Sequence, residues 1–287
     1  MLKFDRSSTA IDFFADLEVS VANALVEDIG AGDRTAHLIH PTRTATASVI
    51  VREPAVLCGI RWFDQVFNSL DSTTGITWKF ADGDRLKAGD LICEIAGNAR
   101  VLVTGERTAL NFLQSLSGTA TVTAHYVEKL ASASTRLLDT RKTIPGLRRA
   151  QKYAVKCGGG YNHRAGLYDG ILVKENHIAA AGSISAAIQA LRSGEAGIAI
   201  EVEVERLDQV EEAIAAGADM LLLDNFDLQQ MATAVVQAAG RVPLEASGGF
   251  ELDNLPAVAA TGVDFVSIGA LTKHVRAIDY SMRIVSL

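Results

Sequence analysis

The second half of the chain alternates short apolar runs with longer stretches in which apolar residues recur every three or four positions. This pattern predicts strands over Arg136–Thr140, Gly170–Lys174, Ile198–Val204, Met220–Asn225, Val242–Ala246 and Val263–Ile268. Between them it predicts helices near Gly146–Cys157, Ile184–Arg192, Leu207–Ala216, Leu228–Ala239 and Asp253–Thr261. Strand, helix, strand at this pitch requires parallel pairing with right-handed crossovers, which leaves a barrel or an open doubly wound sheet. Polar or glycine residues close each predicted strand: Asp139-Thr140-Arg141-Lys142, Lys174-Glu175-Asn176-His177, Glu203, Asp224-Asn225, Ser247-Gly248-Gly249 and Ser267-Ile268-Gly269. A doubly wound sheet gathers its ligand groups at one switch point, whereas an α/β barrel collects them all along its C-terminal face. The succession of such ends favours a parallel α/β barrel, incomplete because the strands fall short of eight.

The first part reads as α+β. A helix near Ala10–Asp28, a strand over Thr46–Val51 and turns at Asp82-Gly83-Asp84 and Gly89-Asp90 make an N-terminal sandwich-like domain. A helix from about Glu106 to Leu130 bridges the halves, and the alternation over Ile278–Val285 predicts a strand that returns to the first domain. The expected division is an α+β domain over 1–115, joined by the C-terminal strand 275–287, and a catalytic barrel over 116–274.

Composition narrows the function classes. With 48% hydrophobic and 21% charged residues, and no charge-free apolar run long enough to span a bilayer, neither a disordered nor a membrane chain is expected. Met1-Leu2-Lys3-Phe4-Asp5-Arg6 carries charge where a signal peptide needs an apolar stretch. Cys58, Cys93 and Cys157 form no CxxC pair, which suits a reducing compartment and gives neither a disulfide framework nor a zinc site. A cytoplasmic protein follows. The net charge of −7 argues against nucleic-acid binding. It conceals one basic segment, however, since Arg136–Lys174 holds nine Lys/Arg against two acidic residues. Arg148, Arg149, Lys152 and Lys156 in that segment suit a solvated helix face. Arg141, Lys142, Arg164 and Lys174 instead lie at the edges of apolar runs or in a glycine-bearing loop, where they suit a small polyanionic ligand.

In Glu201-Val202-Glu203-Val204-Glu205, period-2 geometry sends both valines toward covering helices and all three glutamates to the opposite face. Such carboxylates need cations nearby, either lysines or a metal; the bland alternative is an exposed edge strand with an acidic face. Asp224 on the next strand makes a pair with Glu203 that suits Mg²⁺. Ser247-Gly248-Gly249 and Ser267-Ile268-Gly269 let main-chain N–H groups approach an anion, and phosphate is preferred over two unrelated tight turns. Arginine forks suit planar carboxylates and lysines suit phosphates. His163 fits the same ligand set or a turn cap.

Six strings then carry a resemblance over nearly the whole chain: Gly105–Asn111 (GERTALN), Leu138–Arg148 (LDTRKTIPGLR), Gly158–Arg164 (GGGYNHR), Glu201–Val204 (EVEV), Leu223–Asn225 (LDN) and Glu245–Gly249 (EASGG). Together they resemble the quinolinate phosphoribosyltransferases. The resemblance implies transfer of a phosphoribosyl group from phosphoribosyl pyrophosphate to quinolinate, with release of pyrophosphate and CO₂ in NAD biosynthesis. It implies the type II phosphoribosyltransferase fold, Mg²⁺ held by Glu203 and Asp224, and catalytic roles for these and Lys142. Substrate binding falls to Arg107, Arg141, Lys142, Thr143, His163, Arg164, Lys174, Ser247, Gly248, Gly249, Ser267 and Gly269. It also implies a homodimer, with higher assembly left open, in which Arg107 serves the partner's site. Two other readings stand beside it. A decarboxylation-free nicotinate transferase would alter the dicarboxylate cations, and a non-enzymatic phosphate sensor would have no use for Glu203 and Asp224.

Overall fold

A computed structural model describes residues 11–130, 133–194 and 197–286. Contacts divide them into two units, one built from Asp12–Ala124, Thr143–Gly159 and the chain from Leu271 onward, the other from His125–Lys142 and Gly160–Ala270.

The first unit is antiparallel. It contains α1 (Leu17–Ile29), β1 (Thr44–Val51), β2 (Ala55–Val56), α2 (Ile60–Leu70), β3 (Gly75–Trp78), β4 (Arg85–Leu86), β5 (Leu91–Asn98), most of α3 (Ala99–Leu130), α4 (Arg148–Cys157) and β12 (Tyr280–Ser286). Its main sheet runs β12-β1-β5-β3, all antiparallel. Along β1 every second residue, Ala45, Ala47, Val49 and Val51, is buried, which is the alternation of a strand with one face on a core. That core holds Trp62, Phe63 and Phe67 of α2 against Leu110, Leu113 and Leu116 of α3.

The division differs from the expected boundary at 115/116. Helix α4 packs in the antiparallel unit because it is enclosed there: Ala150 and Ala154 join its core, and the Gln151 amide donates to the Thr272 carbonyl at 2.8 Å. The solvated basic face expected for α4 is accordingly corrected at Lys152, which has no exposed surface. Gly118 marks another tight approach, since a Cβ there would lie 2.2 Å from the Arg276 carbonyl oxygen, a backbone atom that cannot rotate aside. Gly118→Ala is expected to cost about 1–3 kcal/mol by overpacking, read as a lower Tm; an unchanged Tm would show that the two segments move apart freely.

The second unit is parallel and carries β6 (Arg136–Leu138), β7 (Ile171–Val173), α5 (Glu175–Ala181), α6 (Ile184–Gly194), β8 (Ile200–Val204), α7 (Leu207–Ala215), β9 (Met220–Asp224), α8 (Leu228–Ala238), β10 (Leu244–Ser247), α9 (Leu255–Ala260) and β11 (Phe265–Ser267). The strand order is β6-β11-β10-β9-β8-β7, parallel throughout. A single parallel bridge adds Tyr161 beside Leu138. Among the described residues β6 and β7 do not pair with each other, so the barrel is incomplete. β8 is interior, buried along its whole length and flanked by β7 and β9, so the exposed-edge reading does not hold. The strand stops at Val204. Glu205 lies beyond it, exposed, with its N–H donating to the Gln209 side chain at 2.8 Å, so two of the three glutamates share the inward face and the third does not.

Candidate active site

Glu203 and Asp224 close neighbouring strands. β8 and β9 pair with Val204 opposite Leu223, so Asp224 stands just past the end of β8. Glu203 is buried, and its Oε2 lies 2.6 Å from the Nζ of Lys174, the residue that follows β7 and caps α5. Burial pushes the Glu203 carboxyl above the usual carboxylate range; the Lys174 ammonium pulls against that rise and the charge of Asp224 adds to it. The two carboxylates therefore lie close enough for the charge of one to act on the other.

Lys142 lies at the ends of β6 and β11. A Cβ at Gly269 would lie 2.9 Å from Lys142 Cδ and 3.6 Å from Thr140 Oγ1, so glycine after β11 is what lets the lysine stem cross there. The Lys142 N–H donates to Thr140 Oγ1 at 3.0 Å, which turns the chain outward after β6. Ser247 ends β10 and Ser267, buried, ends β11; Gly248 and Gly249 follow the first of them. Of the residues singled out in the sequence, the structure thus sets Lys142, Lys174, Glu203, Asp224, Ser247, Gly248, Gly249, Ser267 and Gly269 at or just beyond strand C-termini of one unit. Arg107, exposed on α3, and Thr143, whose Oγ1 accepts from Arg148 Nε at 3.1 Å, belong to the antiparallel unit.

Arg141, His163 and Arg164 sit in the connections around β6. Asp139, fully buried, accepts from the His163 N–H at 2.8 Å and from the Asn162 side-chain amide at 2.6 Å, and its own N–H donates to the Tyr161 carbonyl at 3.0 Å. His163 is buried with both ring nitrogens turned to protein groups. Its Nδ1 accepts the Arg164 N–H at 2.7 Å, and its Nε2 lies 3.1 Å from Glu201 Oε2 and 3.6 Å from Glu245 Oε1. The ring proton therefore belongs on Nε2, and a hydrogen bond from His163 to a ligand requires exchanging one of these partners. Arg164 donates from Nη1 to the Gly170 carbonyl at 3.0 Å, across a loop that Asp169 closes by accepting from Ala165 and Gly166 N–H at 2.6 and 2.8 Å.

Among the described residues, two donor sets could take a cation. His163, Glu201 and Glu245 offer ligand atoms within 4.8 Å of one another, all from buried residues. Glu203 and Asp224 offer oxygens alone, at strand ends where Asp224 is half-buried. Mg²⁺ prefers oxygen and keeps several waters, so the more open carboxylate pair fits it and the enclosed imidazole-bearing trio does not. The roles of Asp139 and Glu245 escaped the residue-by-residue reading. Asp139 was legible only as a carboxylate at a strand end. The Glu245 signal was a lone acid inside the apolar Leu244-Glu245-Ala246 run, where burial demands a partner.

Comparison with known proteins gives a concordant result. Residues 33–117 match the quinolinate phosphoribosyl transferase N-terminal domain and residues 119–283 the C-terminal domain of that family. The chain is 43% identical over 259 residues to a probable carboxylating nicotinate-nucleotide pyrophosphorylase of Bacillus subtilis, covering 90% of this chain and 89% of that protein. It is 41% identical over 273 residues to the carboxylating nicotinate-nucleotide pyrophosphorylase of Mycobacterium leprae, covering 92% and 95%. A solved structure of nicotinate-nucleotide pyrophosphorylase from Francisella tularensis superposes with a TM-score of 0.91 at 48% identity, covering 93% of this chain and 95% of that one.

Proposed function

The chain belongs to the quinolinate phosphoribosyltransferase family, and on that premise we propose how its own residues divide the work. The enzyme transfers the phosphoribosyl group of phosphoribosyl pyrophosphate to quinolinate, giving nicotinate mononucleotide, pyrophosphate and CO₂ in de novo NAD biosynthesis. The observation that carries the division of labour is that charges of both signs stand at C-terminal strand ends of one parallel sheet: Lys142 over Gly269 after β11, Lys174 paired to Glu203 at β7 and β8, and Asp224 at the end of β9.

Each substrate is an anion, and departure of pyrophosphate leaves positive character at the ribose C1. Groups that neutralise the leaving charge therefore act most strongly in the transition state. Lys142 serves the pyrophosphate as a point charge. Glu203 and Asp224 would hold Mg²⁺, which when bound supplies Lewis-acid neutralisation of the leaving group. Ser247, Gly248, Gly249, Ser267 and Gly269 offer hydroxyls and main-chain N–H groups to the 5′-phosphate. Arg141, Arg164 and Lys174 receive the pyridine dicarboxylate, with Thr143 and His163 supporting that side and Arg107 supplied by a second copy of the chain in a homodimer. The pyridine nitrogen attacks C1 as pyrophosphate leaves. Once quaternised, that nitrogen stabilises the carbanion left at C2 by CO₂, which then takes a proton from water, so coupling precedes decarboxylation. No helix among the described residues is long and apolar enough to cross a membrane, and the three unpaired cysteines support a cytoplasmic setting.

Purified protein mixed with quinolinate, phosphoribosyl pyrophosphate and Mg²⁺ is expected to release pyrophosphate and CO₂ in equal amounts. Pyrophosphate without CO₂ would overturn the decarboxylating reading.

A further inference from the structure

We propose that Asn225 is a positioning residue for the Asp224 carboxylate, holding its oxygen in place while tying that strand end to the neighbouring glycine loop. The inference rests on the metal-holding role given to Asp224 above.

The backbone supplies the first observation. Among the described residues, Asn225 (φ 56°) and Ala239 (φ 48°) are the non-glycines with left-handed backbone. Ala239 ends α8 and precedes Gly240, the ordinary place for a left-handed residue. Asn225 instead follows directly on β9. Glycine would adopt this φ at least cost, and asparagine is among the side chains that tolerate it best. An exposed position that carries the residual strain has a use for the side chain.

The hydrogen bonds supply the second. In an extended strand, successive side chains point to opposite faces, so residues i and i+1 cannot bond through their side chains. The left-handed turn at Asn225 brings its amide back across the strand end, and Nδ2 donates to Asp224 Oδ2 at 2.9 Å. The Asn225 N–H donates to the Ser247 carbonyl at 3.0 Å, joining the ends of β9 and β10. The amide oxygen faces the other way, because a Cβ built on Gly248 would lie 3.6 Å from Asn225 Oδ1. Nitrogen toward the carboxylate and oxygen toward the glycine is an orientation that aspartate, with the same shape, cannot reproduce: it would set oxygen against oxygen and donate nothing. The amide thus orders Asp224 before any ligand arrives and links the carboxylate pair to the proposed phosphate loop.

The test measures binding by calorimetry, titrating phosphoribosyl pyrophosphate with Mg²⁺ into the intact protein and quinolinate separately. Asn225→Gly keeps the backbone and removes the amide; it is expected to weaken phosphoribosyl pyrophosphate binding about tenfold, the loss of one hydrogen bond to a charged group, with quinolinate affinity and Tm unchanged. Asn225→Asp is expected to show the same selective loss. Adding Asn225→Gly to Asp224→Asn should cost nothing further, because the two residues act as one unit. Wild-type binding by either Asn225 variant, equal loss for both ligands, or an additive double variant would overturn the inference. If Asp224→Asn itself binds phosphoribosyl pyrophosphate normally, the role of Asp224 fails first; if it does not while Asn225→Gly does, only the role of Asn225 fails.

Discussion

Offered nicotinic acid in place of quinolinate, the enzyme is expected to work about 10⁴-fold less efficiently in kcat/KM, because a site built for two carboxylates is left with a half-buried, pre-positioned guanidinium unpaired. The cations proposed for this task are held before substrate arrives. Arg164 is fixed through Gly170, its N–H is fixed on His163, and Lys174 is drawn to Glu203. Arg164, half-buried and tied at both ends, cannot turn to water cheaply when one carboxylate is missing. Steady-state kinetics with both acids at saturating phosphoribosyl pyrophosphate measures the ratio. Comparable turnover would contradict the two-carboxylate assignment and place the protein with decarboxylation-free transferases.

The second large effect joins assembly to catalysis. Arg107→Ala and Lys142→Ala are each expected to lose activity about 10³-fold, as removal of transition-state charge contacts does, and mixing the two inactive proteins is expected to restore it. Arg107 is exposed on α3, two residues after Gly105, where a Cβ would come within 2.8 Å of the Phe67 ring; the contact that presses α3 onto α2 leaves the arginine pointing away from its own core. Lys142, by contrast, belongs to the parallel unit and lies over Gly269. In a symmetric dimer with sites shared between copies, random exchange makes about half the dimers mixed, each with one intact site of two, so recovery approaches about a quarter of wild type. Absence of recovery after verified subunit exchange would place Arg107 outside the partner's site.

Much of the parallel unit was legible because buried parallel strands are short apolar runs with abrupt polar ends. Strand positions fell within a residue or two: Met220–Asn225 was expected and Met220–Asp224 forms, Val263–Ile268 was expected and Phe265–Ser267 forms. What periodicity could not give was where a run stops. Glu205 continues the alternation of Glu201 and Glu203 in sequence, yet the chain turns after Val204 to start α7. Nor can helical spacing tell a solvated basic face from an enclosed one, which is why Lys152 was misjudged: its burial depends on segments far away in sequence. The surroundings of His163 were likewise out of reach of local spacing. Its position in a basic, glycine-rich stretch suggested a place in the ligand set, but could not show that its ring meets Glu201 and Glu245, contributed by strands that pairing brings close only in the folded barrel.

The sheet order β12-β1-β5-β3 bears on how the protein is made. The chain from Gly160 to Ala270 is continuous and can collapse as it leaves the ribosome, strand on neighbouring strand. The antiparallel sheet cannot be finished that way, because the partner of Val51 in β1 is Tyr280 in β12, separated from it by the whole of the other unit. Throughout the interval β1 has only β5 to pair with and presents an open row of N–H and C=O groups on its other side. The nascent protein therefore passes through a stage in which its early half is built but unsealed, and the interval before β12 arrives is when chaperone protection matters most.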